Sequence, residues 1–140
     1  MPPYHVTPYP LAMVVCDACH RDPATGKFFL LGLFSMIGAR EFPCRHPRLS
    51  VYVSLTDGLG TFPLELKLVH VDAEEKQIFD QEQEISLEDP RMVCEVVFQI
   101  DGLVIPGPGE YRLQLFANRD FLLERRIIVY SVETSGESNE

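Results

Sequence analysis

Apolar residues recur at every second position over much of the chain. Leu49, Val51, Val53 and Leu55 alternate with Ser50, Tyr52 and Ser54. Leu64, Leu66 and Leu68 alternate with Glu65 and Lys67. Cys94, Val96, Phe98 and Ile100 form a third such set, and Tyr111, Leu113, Leu115 and Ala117 a fourth. A period of two puts successive side chains on opposite faces of an extended strand, one buried and one wet. Two earlier runs, residues 11–16 and 28–34, are apolar on both faces. They predict strands that are central, or of which one lies under a loop or partner. Residues 77–85 are polar on both faces through Asp80, Gln81, Glu82, Gln83 and Glu84. They read as an edge strand whose charges block pairing with another chain. In the last run, 122–130, Glu124, Arg125 and Arg126 break the alternation. A bulge at those three residues would return Ile127 and Val129 to the core.

Turn residues divide the runs. DPATGK at 22–27 offers Pro23 for turn entry and Gly26 for a positive φ. TDGLGTF, DAEEK and NRD supply three more turns, the last a tight hairpin. No window predicts an amphipathic helix, and Pro90 limits SLEDPRM to a single helical turn. About eight strands at roughly ten-residue spacing predict an all-β fold, an immunoglobulin-like antiparallel β-sandwich. PGPGEY at 106–111 fits that reading. Its Pro and Gly residues force a corner, and Tyr111 can bury its ring while returning its hydroxyl to the backbone a few residues upstream. The boundaries predicted are an N-terminal extension at 1–10, a β-sandwich domain at 11–131 and a disordered acidic tail at 132–140.

Composition sharpens this picture. At 140 residues and 46% apolar, the chain suffices for one domain with a core that needs no staples. The net charge of −9 repels phosphate backbones and anionic lipid surfaces, so neither nucleic acid nor membrane is an expected partner. A protein partner or self-association is compatible with it. The opening MPPYHVTPYP lacks the basic stretch of a signal peptide, and the apolar run after it is shorter than a signal core. Those features predict a cytoplasmic protein, whose Cys16, Cys19, Cys44 and Cys94 would be reduced thiols or metal ligands.

The stretch CDACH at 16–20 carries the one suggestive chemistry, since its spacing suits haem attachment, a redox dithiol or half a zinc site. Haem attachment needs export and an axial ligand in an apolar pocket. A redox pair needs a helix N-terminus or positive charge to lower its thiol pKa, whereas Asp17 lies inside this motif. Zinc is the alternative to a plain scaffold: Cys16, Cys19 and His20 would have to meet Cys44 and His46 of PCRHP. An intervening strand of eight or nine residues separates its ends by roughly 27–30 Å, so residues 36–43 would have to run back along it. Otherwise Cys16 ends a buried strand, Cys19 and His20 lie in a hairpin loop, Cys94 points into the core and His70 caps a strand end. No catalytic set is visible, which predicts a non-enzymatic protein; a metal- or thiol-dependent enzyme is the remaining alternative.

VVCD followed by a hairpin, then FFLLGLFSMI, EFPCRHPRLSVYVSL, LELKLVHVD and IPGPGEYRLQLF form an ordered set. In that order the chain resembles a family of small bacterial proteins built on a domain of unknown function, expected to be a β-sandwich. The resemblance runs over roughly residues 11–129. It implies recurring positions at Cys16 and Asp17, and none at Cys19, His20, Cys44 or His46. It implies no activity and no cofactor. The function expected is therefore a binding or assembly module.

Overall fold

The alternating runs fold as strands and bury their apolar faces against one another. The computed structural model describes residues 5–133, so the part of the predicted acidic tail beyond residue 133 lies outside the described residues. Nine strands are present among them: β1 (Tyr9–Arg21), β2 (Phe28–Leu33), β3 (Met36–Ala39), β4 (Cys44–Thr56), β5 (Gly60–His70), β6 (Lys76–Leu87), β7 (Cys94–Ile105), β8 (Gly109–Ala117) and β9 (Asp120–Ser131). They form a four-stranded sheet in the order β2-β1-β4-β7 and a five-stranded sheet in the order β3-β9-β8-β5-β6. All neighbours are antiparallel except β3, which runs parallel to β9. Inward residues of both sheets share one core, with Val51, Val53, Leu55 and Phe98 from one and Leu64, Leu66, Leu113 and Leu115 from the other.

The turns form as their residues dictate. Asp22 accepts hydrogen bonds from the Ala24 amide at 3.0 Å and the Thr25 hydroxyl at 3.1 Å. Asn118 and Arg119 both take positive φ, which matches a two-residue turn to the twist of β8 and β9. Tyr111 is buried, and its hydroxyl donates to the Gly107 carbonyl at 2.6 Å, as the PGPGEY corner predicts. His70 ends β5 and is buried, its ring stacked on that of Tyr111 with centroids 4.1 Å apart. Cys94 packs against the core beside β4, opposite Leu55. β6 is an edge strand, as its polar faces predict.

Three expectations are corrected. The strand count is nine rather than eight, because residues 36–39 are not a plain connection. Only Ile37 of this short segment is buried, and its partner β9 lies some ninety residues away, so alternation has almost nothing to register. β1 is longer than its apolar run: it continues through Cys19 and His20, which pair with Leu30 and Phe29 rather than lying in a loop. The irregularity in β9 falls at Leu122, between the Phe116–Phe121 and Leu115–Leu123 pairs, not at Glu124–Arg126. From Leu123 onward the alternation is regular, and Arg125 occupies an inward position opposite Leu113. Its guanidinium donates to the Met13 carbonyl at 3.1 Å, tying β9 to β1 across the seam between the sheets. Gln83 ties the opposite seam, donating from β6 to the Val97 carbonyl of β7 at 2.8 Å.

Candidate functional site

The CDACH stretch lies where β1 leaves one neighbour and keeps the other. Cys16 is its last residue paired with β4, opposite Ser50, and also faces Leu33 of β2. Beyond it only the β2 ladder continues, through Ala18–Leu31 and Cys19–Leu30. Between the Cys16–Leu33 and Ala18–Leu31 pairs, Gly32 takes φ +72, and a Cβ there would overlap the Asp17 carboxylate. The register of this ladder is unbroken, yet thiols three residues apart, nominally on opposite faces, approach one another. The Cys16 and Cys19 sulfurs are 3.6 Å apart. Cys16 is fully buried, and its thiol donates to the Ala18 carbonyl at 3.4 Å and the Ser50 carbonyl at 3.7 Å.

Around this pair the hairpin folds onto the outer face of the sheet. The Phe28 ring lies 5.7 Å from that of Tyr52, and the Arg21 guanidinium stands 5.6 Å above Phe28. The Tyr52 hydroxyl donates to Glu95. Burial, then the hydrogen bond with Cys16, pushes the Cys19 thiol up to about 12. Burial, then the Glu95 carboxylate, pushes the Tyr52 hydroxyl up to about 12 as well. Reactive thiols have the opposite environment, one that stabilises the thiolate. Cys19 is held protonated.

The remaining cysteine and histidine candidates go elsewhere. His20 stacks on Phe29, with centroids 6.3 Å apart. Cys44 stands opposite Ile105 and packs against the core, where burial raises its thiol pKa. His46 faces Leu103, and its ring lies 5.8 Å from Phe34. Thus the fold joins Cys16 to Cys19 and brings neither Cys44 nor His46 to them as co-ligands. Among the described residues, no three His, Cys, Asp or Glu side chains are placed to hold one metal ion. His46 and Asp17 do line a common open groove of about 290 Å³, with Gly32, Leu33, Phe34 and Met36.

A second feature is a surface rather than a pocket. β2 is an edge strand, and Phe29, Leu31 and Leu33 are 51%, 54% and 63% exposed. Met36 of β3 is exposed beside this run in the sequence. The signal was in the sequence, since residues 28–34 are apolar on both faces, but which side is uncovered depends on strand order.

The match to known proteins follows the same chain segment. The model of a family of unknown function, DUF6941, matches residues 11–130. The chain belongs to that family. No curated protein matches the DUF6941 chain. Among solved structures, a β-glucosidase from Listeria innocua in complex with isofagomine is similar at 11% identity and a TM-score of 0.50. That match covers 94% of the DUF6941 chain and 17% of the glucosidase. An alkylpurine DNA glycosylase, AlkC, from Pseudomonas fluorescens, bound to DNA containing an abasic site analog, is similar at 10% identity and a TM-score of 0.48. It covers 68% of the DUF6941 chain and 27% of the glycosylase. The chain spans about a sixth of the glucosidase and about a quarter of the glycosylase. At such identity the likeness concerns the fold alone.

Proposed function

We propose that this chain is a non-enzymatic binding or assembly module on an immunoglobulin-like β-sandwich, acting in the cytoplasm through its β2 edge. Strand order supports the finer fold reading. β1, β4 and β7 pair as strands A, B and E do, while β6, β5, β8 and β9 pair as C′, C, F and G do. The Tyr111 hydroxyl bond to Gly107, at the start of the F-like strand, is a second point of agreement.

One observation carries the functional reading: the contrast between two edges of the same molecule. Proteins blunt exposed edge strands with charge, because free N–H and C=O groups invite another strand. β6 follows that rule with Asp80, Glu82 and Glu84. β2 breaks it. Residues 28–39 hold no charged side chain in a chain of net charge −9, and three large apolar side chains of β2 stand in solvent. An uncovered apolar row on an open edge is the pattern of a strand that docks another polypeptide. A second copy of this chain is the occupant most simply tested, because an acidic surface disfavours nucleic acid and anionic membranes.

Multi-angle light scattering over a concentration series tests this. A dimer that Leu31→Lys returns to monomer is the expected result, with circular dichroism unchanged. A wild-type chain that stays monomeric throughout would remove self-association from the reading.

A further inference from the structure

Of the candidate cysteine and histidine ligands, Cys16 and Cys19 are the two whose side chains meet. We propose that they form a two-sulfur site for a trivalent thiophilic metalloid, with monosubstituted arsenic(III) as the representative ligand class.

The geometry of the two thiols suits a bridging atom. Both residues are held in an extended, paired strand, Cys16 by Ser50 and Leu33 and Cys19 by Leu30. Yet the sulfurs lean to within 3.6 Å of each other. An atom between them needs no backbone movement. With thiolate bonds of about 2.3 Å, sulfurs at that separation subtend an angle of roughly 100°. Linear two-coordinate ions would need the sulfurs roughly 4.6 Å apart at the same bond length.

An angle near 100° suits a tetrahedral or a pyramidal centre, and donor number decides between them. Tetrahedral zinc takes four ligands. Among the described residues no third His, Cys, Asp or Glu side chain joins the pair in a ligand cluster. A pyramidal trivalent centre takes three bonds, two from sulfur and one to the substituent it already carries. Charge agrees with this choice. Each thiol gives up one proton, and exchange with an arsenic(III) oxide leaves no net charge behind. Two As–S bonds form and the As–O bonding is broken. The two thiol protons leave with the oxygen as water, and no atom changes oxidation state.

Entry begins at Cys19, which is half-buried, whereas Cys16 is sealed beneath the hairpin. β2 has one strand neighbour, so opening this hairpin is the least costly local excursion that exposes Cys16.

Phenylarsine oxide added to the folded, reduced protein provides the test, read by intact-mass spectrometry. One adduct per chain is expected, stable to buffer exchange and removed by excess small dithiol. It should persist in the Cys44→Ser, Cys94→Ser double variant and be lost in Cys19→Ser. Because Cys19 is half-buried, that variant carries the test if Cys16→Ala does not fold. An adduct that survives in Cys19→Ser, or none on the folded wild type, overturns the proposal.

Discussion

Individual side chains here do work that their types alone would not predict. The ring of Tyr111 is buried under His70, while its hydroxyl holds the Gly107 carbonyl in the Pro-Gly corner. Tyr111→Phe keeps the ring and removes the donor. It should lower unfolding free energy by about 1–2 kcal/mol, the scale of one lost hydrogen bond at a part-buried acceptor. Urea unfolding checks this, with the midpoint falling and the slope unchanged. Cys19 gives a pH-dependent test. In the fold its thiol titrates near 12, above its ordinary value. A raised thiol pKa means that the folded state binds the proton more tightly. The stabilising contribution is therefore complete below the ordinary thiol value and is lost as pH rises toward 12. Tyr52 acts with the same sign, starting from the ordinary phenol value. Cys19→Ser should make the alkaline limb of the stability curve shallower while leaving the Tyr52 part in place. Thermal melts at stepped pH read the difference, and an unchanged limb would count against the assignment.

At the scale of elements, the strands that were legible are those whose pattern is local. β4, β5, β7 and β8 each carry four or more alternating positions, and nothing else fits that period. β3 could not be read because four residues with one buried side chain carry no period, and its partner is distant in sequence. The β9 irregularity was misplaced for a different reason. An arginine at an inward position looks like a broken pattern until the Met13 carbonyl that receives it is visible. Cys19 and His20 look like loop residues from sequence because they follow the apolar run, yet ladder bonds to β2 hold them extended. That hairpin depends on Gly32. Alanine there would have to adopt φ +72 and displace the Asp17 carboxylate. Gly32→Ala should destabilise the protein by more than about 1 kcal/mol, the usual scale for a side chain forced to positive φ. Its distinguishing effect is local: Cys16 should alkylate faster than in wild type while Cys94 does not. Equal acceleration at both would indicate general loosening instead of an opened hairpin.

At the scale of the whole molecule, two opposing forces act on association. Net charge of −9 repels like copies, and the uncharged stretch at 28–39 attracts them if it docks. Their ranges differ. Charge repulsion extends over a Debye length, about 10 Å at 0.1 M salt and about 3 Å at 1 M. Apolar contact acts only where surfaces touch and is not weakened by simple salt. Raising salt should therefore remove repulsion and leave attraction, so dimer formation through β2 should strengthen with ionic strength. An interface built on ion pairs would respond the other way, because screening weakens the pairs themselves. Sedimentation velocity from about 0.05 to 1 M sodium chloride, within the Debye range just described, separates the two. Tightening with salt, abolished by Leu31→Lys, assigns the contact to the apolar edge. Loosening with salt would move it to the charged faces, where Arg112 and Arg126 already share the Glu110 carboxylate across β8 and β9.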